Sequence, residues 1–291
     1  MKRLLVTGAS GFLGWNLCAE AMRQGWHVTG TVHRHVIEIP DSEVLTVDLR
    51  EAGAVRRLFD RARPDAVAHL AAVSQPNACE ERPEQSRELN VEATRTVAEG
   101  CAEAGVPLVF TSSDLVFDGS RAPYREDDAV SPVNEYGRQK AAAERVLAEL
   151  DNVAVCRMPL MYGDPGPVAT SFIQPWIASL RRGDELRLFV DEYRTPVSGR
   201  DAARGLLLAL RRPGQRYHLG GTQRISRYEF GRCLAAAFGL NGDAIRASSQ
   251  ADVTMSAPRP PDVSLDSTKA RRELGYAPSP IEQELAFLAK A

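Results

Sequence analysis

Several features that define whole classes of protein are scarce or missing in this sequence. The histidines are few and form no ligand pattern, so we expect no metal site. The cysteines show no C-x-x-C pair, which argues against a disulfide framework and favours reduced thiols in a cytoplasmic protein. They are scattered at Cys18, Cys79, Cys101, Cys156 and Cys233.

An excess of one charge is also lacking, since 36 Lys and Arg residues balance 38 Asp and Glu residues. This balance provides no basic field for nucleic acid and no polybasic patch for a membrane. The apolar run in the opening MKRLLVTGAS is too short for a signal peptide or a membrane span. We therefore predict a cytoplasmic location, with neither nucleic acid nor membrane as a partner.

What the chain does contain is a regular alternation of apolar, β-rich runs and helical patterns. Six runs predict strands, near residues 3–8, 27–33, 44–49, 65–72, 107–113 and 152–158. Strands separated by helices predict an α/β fold with a doubly wound parallel sheet, the Rossmann architecture. Proline and glycine become dense after Pro159. We therefore predict a Rossmann domain over 1–160 and a smaller substrate-binding lobe over 161–291, with 200–220 returning to the sheet.

Three glycines follow the first predicted strand, in the stretch TGASGFLG. Glycine allows positive φ, lets backbone N–H groups approach a pyrophosphate and packs a helix close to the sheet. Because the stretch joins a strand to a helix, it predicts a dinucleotide site, although a plain tight turn would also use glycine. The predicted contacts are Gly8, Ser10, Gly11, Phe12, Leu13 and Gly14.

The second predicted strand ends without the carboxylate that would bind an adenosine ribose 2′-hydroxyl. Arg34 stands there instead, between His33 and His35. A guanidinium suits a 2′-phosphate, so Arg34 favours NADP(H) as the cofactor; NAD(H) stays possible if Arg34 is only a solvated surface cation. Asp48 and Leu49 follow the third strand and are placed to contact the adenine, although Asp48 could be a simple turn acid.

The stretch NEYGRQK places Tyr136 one helical turn before Lys140. An unperturbed tyrosine has a pKa of about 10, and a nearby cation should lower it toward neutral pH. These residues predict a proton donor, with a common surface pair as the alternative. Thr111, Ser112 and Ser113 end the fifth strand, where ligands of this architecture bind, and they could hold a carbonyl oxygen or cap a turn.

In this order, the motifs resemble those of an extended short-chain dehydrogenase/reductase. TGASGFLG resembles its cofactor signature and Tyr136-Gly-Arg-Gln-Lys140 its catalytic helix. Within that superfamily, TSSDLVFDG and APYREDDAVSPVNEYGRQK look most like the dTDP-4-dehydrorhamnose reductase group. DEYRTPVSGRDAA (191–203) and APRPPDVSLDSTK (257–269) extend the likeness over nearly the whole chain. The resemblance implies an NADPH-dependent reductase of a 4-keto sugar nucleotide.

The resemblance also implies roles for single residues. Tyr136 would be the general acid, Lys140 would tune it and bind the nicotinamide ribose, and Ser113 would orient the carbonyl. Asn90 would support a proton-relay water beside Lys140. The other implied contacts are Ala71, Ala72 and Pro159 with the cofactor, and Ser74, Ser112, Tyr193 and Arg259 with the substrate. In a plainer interpretation, Arg259 holds a loop in place and Tyr193 lies at the edge of the core.

Two other functions stay open. The chain also resembles the regulatory β subunit of methionine adenosyltransferase, a non-catalytic NADP-binding protein that shares the SSD-x-VFDG and YRE-D segments. A sugar-nucleotide epimerase would hold NAD, and the missing acid after the second strand argues against it. Leu115 stands where the reductases usually have an aromatic residue, which leaves the sugar open. The resemblance implies a homodimer through the helices near 84–104 and 133–150, although these helices could simply pack on the sheet.

Overall fold

The computed structural model describes residues 2–290 and contains strands and helices in close alternation. The strands are β1 (Arg3–Thr7), β2 (His27–Val32), β3 (Glu43–Thr46), β4 (Ala66–His69), β5 (Leu108–Ser113), β6 (Val153–Met158), β7 (Met161–Tyr162), β8 (Leu186–Phe189), β9 (Tyr193–Arg194), β10 (Val197–Ser198), β11 (Arg216–His218), β12 (Ile225–Ser226) and β13 (Ile245–Ser248). The α-helices are α1 (Phe12–Arg23), α2 (Ala54–Ala62), α3 (Pro76–Glu81), α4 (Pro83–Arg87), α5 (Ala93–Ala104), α6 (Glu135–Leu147), α7 (Ile173–Arg182), α8 (Gly199–Ala209), α9 (Arg227–Ala237), α10 (Thr268–Leu274) and α11 (Ile281–Leu288).

Seven parallel strands form the central sheet, in the order β11-β6-β5-β4-β1-β2-β3. The predicted doubly wound parallel sheet is therefore confirmed. Its edge strand β11 pairs with β6 and lies in the segment that was expected to return to the sheet. The boundary at residue 160 stays a prediction.

Each face of the sheet is covered by helices, which explains why its central strands are almost wholly apolar. All four residues of β4 and all six of β5 are buried. On one face, Leu17 of α1 packs in the same core as Leu206 of α8. On the other, Val97 of α5 and Leu147 of α6 share a second core. The carboxyl ends of β1, β2, β4, β5 and β6 therefore meet along one edge.

The long helix predicted near 84–104 is divided in the structure. A π-helical turn at Glu88–Glu92 separates α4 from α5, and the short helix α3 precedes them. Arg82 interrupts the two short helices because a residue before proline disfavours the α conformation, and Pro83 opens α4. The sequence pattern missed this break.

The smaller lobe has its own core, formed mainly by α7, α9 and α11 around Phe230, Leu234 and Leu285. Short strand pairs, β8 with β13 and β9 with β12, complete it. Within residues 2–290 no helix is both long and apolar enough to pass through a bilayer.

Candidate active site

The turn between β1 and α1 leaves no room for side chains at two of its glycines. Gly8 has φ of 74°, and a Cβ there would lie 2.8 Å from the backbone nitrogen of Ala71. A Cβ on Gly14 would lie 2.8 Å from Cα of Ala9 and would overlap the carbonyl oxygen of Gly8. Gly11 is the N-cap of α1 and provides no side-chain hydrogen bond, so the first N–H groups of the helix stay available to an anion. This cradle fits a pyrophosphate.

A cleft of about 610 Å³ opens over this turn and over the carboxyl edge of the sheet. Most of the predicted site residues line it. They are Gly8, Ser10, Gly11, Phe12, Leu13, Gly14, Arg34, Asp48, Leu49, Ala71, Ala72, Ser74, Ser112, Ser113, Tyr136, Lys140 and Pro159. The structure therefore brings the glycine turn and the Tyr136–Lys140 helix to one cavity.

Basic side chains surround the single carboxylate at the far end of the cleft. Arg50 donates two hydrogen bonds to Asp48, at 2.9 and 2.6 Å, and Nε2 of His33 lies 3.5 Å from the same group. The hydrogen bond from Arg50 lowers the pKa of Asp48 to about 2. Arg34 also lines this end and is exposed. Asp48 thus carries a charge that Arg50 already neutralises.

Helix α6 presents Tyr136 and Lys140 to the cleft, and both side chains are buried. The prediction that Lys140 lowers the pKa of Tyr136 toward neutral pH is wrong, because the surrounding protein groups raise that pKa. Burial raises the pKa of Tyr136, and the nearby charge of Asp114 raises it further, while Ser113 opposes the rise. Nζ of Lys140 lies 5.8 Å from the centre of the Tyr136 ring.

The start of α6 is fixed by its own N-cap residue and by groups from two other segments. The side chain of Asn134 caps the helix by accepting from the N–H of Gly137 at 2.9 Å, and it donates to Pro258 O at 3.0 Å. Glu80 of α3 accepts from the N–H of Glu135 at 2.8 Å. These contacts hold Tyr136, which follows in the same turn, at a defined position.

Lys140 and a buried ion pair occupy successive turns of α6. Nζ of Lys140 donates to Thr111 O at 2.8 Å, and burial lowers the pKa of this lysine to about 8. One turn later, Glu144 accepts from Arg157 at 2.9 and 2.8 Å. The hydroxyl of Ser112 donates to the same carboxylate at 2.5 Å. Ser112 therefore gives its proton to Glu144, and its predicted contact with the substrate stays a prediction.

Ser113 is a hydroxyl residue of β5 that lines the cleft together with Tyr136. It donates to Oδ1 of Asp114 at 3.0 Å and accepts from the N–H of Leu115 at 3.1 Å. Both Ser113 and Asp114 are buried. These contacts hold Ser113 in place, but its single hydroxyl proton is donated to Asp114.

Comparison with known protein families shows which family this chain belongs to. The family described as the RmlD substrate binding domain matches residues 1–291. The chain belongs to this family.

Two relatives and one solved structure are similar to this chain. Methionine adenosyltransferase 2 subunit beta of Xenopus laevis is 33% identical, over 93% of this chain and 82% of that protein. A probable low-salt glycan biosynthesis reductase of Haloferax volcanii is 30% identical, over 98% and 97%. The dTDP-4-dehydrorhamnose reductase of Bacillus anthracis, solved in complex with NADP, has a TM-score of 0.87 at 23% identity, with 99% of both chains covered. The similarity to the Bacillus anthracis structure shows a shared fold and nothing more.

Asn90 of this RmlD-family chain does not line the cleft, and its predicted support of a relay water beside Lys140 stays a prediction. It is fully buried in the π-helical turn. Its Oδ1 accepts from the N–H of Val73 at 2.8 Å, and its Nδ2 donates to Val73 O at 3.1 Å and to Gln139 at 2.8 Å. Asn90 therefore fastens the loop after β4 to α6.

Tyr193 and Arg259 also lie outside the lining of the cleft. Arg259 donates to Ala257 O at 3.2 Å and to Asn77 at 2.9 Å, which is the loop-pinning arrangement. The guanidinium of Arg224 stacks on the ring of Tyr193 at 3.7 Å. Contact of either residue with a substrate stays a prediction.

Sequence reasoning missed several residues that line the cleft. Arg50 could have been found, because it follows the third strand at the same edge as Asp48. Arg82, Gln85 and Ser86 lie on the α3–α4 segment, which the sequence pattern did not resolve. Met158 reaches the cleft from the end of β6 and Met161 from β7. Methionine at these two positions gave no indication of a binding site in the sequence.

Proposed function

We propose that this chain is an NADPH-dependent reductase of a 4-keto sugar nucleotide. The observation that carries the proposal is the shared cleft: Ser113, Tyr136 and Lys140 line the same cavity as the glycine turn. A dinucleotide and a ketone could therefore meet beside a phenol that has a proton to give. The Haloferax volcanii reductase, similar over almost its whole length, supports the same reaction type.

The charge of the cleft supports an anionic cofactor. Its lining holds the four cations Arg34, Arg50, Arg82 and Lys140 against one carboxylate, Asp48. The whole chain has a net charge of −2, so this excess is local and would draw in a phosphate-bearing ligand. Arg34 and Arg50 at the adenosine end favour the extra 2′-phosphate of NADP(H). NAD(H) would leave Arg34 without an anionic partner, whereas Arg50 is already paired with Asp48.

The residues of the chain supply binding and the proton. The cradle of Gly8, Gly11 and Gly14 would hold the pyrophosphate of the cofactor at the start of α1. When bound, the reduced nicotinamide would supply the hydride. Burial keeps Tyr136 protonated at neutral pH, as a group that donates a proton to a ketone oxygen must be. Lys140 is still mostly cationic at that pH, and its expected contact is with the nicotinamide ribose.

The test is oxidation of NADPH and NADH by the purified protein against a panel of 4-keto sugar nucleotides. We expect turnover with NADPH, and a loss of at least about 100-fold in kcat for Tyr136→Phe, the scale of general acid catalysis. Tyr228→Phe on α9, outside the cleft, is the matched control. Equal rates for Tyr136→Phe and the wild type would refute the acid assignment.

A second candidate function is a non-catalytic subunit of another enzyme. It is favoured by the 33% identity with methionine adenosyltransferase 2 subunit beta. Under this alternative the protein would bind NADP(H) without consuming it, and a partner enzyme would copurify with it. Steady NADPH oxidation by the purified chain alone would support the reductase proposal and refute the non-catalytic alternative.

We further propose that the protein forms a homodimer through α5 and α6. The outward faces of these helices carry exposed charged residues, among them Arg95, Glu99, Arg138 and Arg145, so such an interface would be polar. Light scattering after size exclusion gives the mass in solution. Charge reversal at Arg145 should reduce the dimer fraction, and a monomeric mass of the wild type would reject the proposal.

A further inference from the structure

The carboxyl group of Asp114 is enclosed where the sheet meets the smaller lobe. The residue is 4% exposed. Its Oδ1 accepts the hydrogen bond from Ser113, whereas its buried Oδ2 has no hydrogen-bond partner within residues 2–290. Nε of Arg194 lies 3.8 Å from Oδ2, beyond hydrogen-bond distance. A buried carboxyl oxygen is thus left without a donor.

Charged groups face Asp114 from several elements, and they largely satisfy one another. Arg194 of β9 donates to Tyr193 O at 2.6 Å and lies 3.5 Å from Glu192. Arg227 of α9 donates to Glu192 at 2.8 Å. These contacts bind the two arginines to groups other than Asp114, but Nη1 of Arg227 has no hydrogen-bond partner within residues 2–290, and the charges of both arginines still lower the pKa of Asp114.

Tyr136 approaches Asp114 from α6 and is affected by its charge. A negative Asp114 raises the pKa of Tyr136 further than burial alone does. A charged Asp114 therefore makes the phenol a weaker acid. It would also repel the negative charge that develops on a ketone oxygen during reduction.

The hydrogen bond between Ser113 and Asp114 has a second consequence. A serine hydroxyl has one proton, and Ser113 gives it to the carboxylate of Asp114. Ser113 accepts from Leu115 with one of its two lone pairs. It has no proton left for a substrate carbonyl while Asp114 is ionised.

On the basis of the proposed reductase, we propose that Asp114 acts in its neutral form as a positioning residue for Ser113. A protonated Asp114 donates to the free lone pair of Ser113, and the Ser113 proton turns to the carbonyl oxygen of the substrate. The same proton removes the charge that opposes Tyr136. Asp114 thereby sets the direction of one hydrogen bond at the site.

The environment of Asp114 makes this neutral form available at mildly acidic pH. Burial raises the pKa of Asp114 to about 6, Arg194 and the Ser113 hydrogen bond oppose the rise, and Glu192 adds to it. Because the neutral form is the active one, reduction should weaken as the pH rises through this value.

The first experiment is the pH profile of kcat/KM for ketone reduction. For the wild type we expect a fall of about fivefold from pH 6 to pH 7, as loss of one proton with that pKa predicts. Asp114→Asn carries a permanent amide donor and should lack this fall. Melting temperatures measured at the same pH values separate a change in folding from a change in rate. The same fall in Asp114→Asn would overturn the inference.

The second experiment does not need activity. Infrared spectra of the whole protein are recorded from pH 4 to pH 9, and subtraction of the Asp114→Asn spectra isolates the protonated carboxyl band of Asp114. Ser113→Ala removes a donor to the carboxylate and should move the midpoint to higher pH. Glu192→Gln removes a negative neighbour and should move it to lower pH.

The two experiments separate the two proposals. A protein that reduces no keto sugar nucleotide, yet whose Asp114 band shifts as expected, refutes the reductase and retains the coupling of Ser113 to Asp114. A midpoint that Ser113→Ala leaves unchanged refutes the coupling whatever the activity.

Discussion

Replacement of Arg34 by glutamine is the sharpest test of the adenosine end of the cleft. Arg34 follows β2, lines the cleft and forms no ion pair or hydrogen bond within residues 2–290. Its neighbour Arg50 is bonded to Asp48 instead. Arg34 is therefore the guanidinium that is free to bind a 2′-phosphate, and its loss should weaken NADPH binding selectively.

The size of the effect follows from the kind of contact that is removed. Hydrogen bonds to charged groups contribute about 1.5–3 kcal/mol, which corresponds to a change of roughly 10- to 150-fold in Kd. Because Arg34 is exposed, salt screens the attraction and the lower half of that range is expected. NADH has no 2′-phosphate, so its Kd should change less than about twofold, since only general attraction is lost.

The assay is a fluorescence titration of the purified protein with NADPH and with NADH at fixed ionic strength. It requires no substrate, so it tests the cofactor site separately from the reaction. Arg95→Gln on α5 removes an exposed arginine outside the cleft and should change neither Kd. Equal weakening of NADPH and NADH binding by Arg34→Gln would refute a 2′-phosphate contact.

Three further perturbations test the support of the site. Glu144→Gln should cost about 3–5 kcal/mol in urea unfolding, because it leaves the buried Arg157 without its partner, whereas replacing both by apolar residues should cost less. The pKa of Lys140, lowered to about 8, lies below its unfolded value, so the unfolded chain binds more protons between about pH 8 and 10.5 and this group should raise stability there by roughly 3 kcal/mol. Urea unfolding at a series of pH values measures this rise, which Lys140→Met should remove. An equal rise in the variant would show that Lys140 is not its source. Gly14→Ala should lower stability by roughly 1–3 kcal/mol and abolish NADPH binding, since the added methyl meets Gly8; unchanged melting and binding would contradict the cradle.

Local sequence pattern was sufficient for the sheet and for most of the cleft. Apolar strand-forming runs alternate with helical patterns, and parallel strands must then end along one edge. That rule alone brings the glycine turn, Arg34, Asp48, Ser113 and the Tyr136 helix to the same side. All of them line the cleft.

Tertiary contacts decided what each polar group does within that frame. The sequence determined that Tyr136 and Lys140 share a helical face, because four residues make one turn. It could not determine their pKa values, since burial raises the pKa of Tyr136 and the charge of Asp114 raises it further. Likewise Ser112 bonds to Glu144, 32 residues away, and Asn90 bonds to Val73 and Gln139. Periodicity reports which face a residue occupies, whereas its hydrogen-bond partner depends on which distant segments the core brings together.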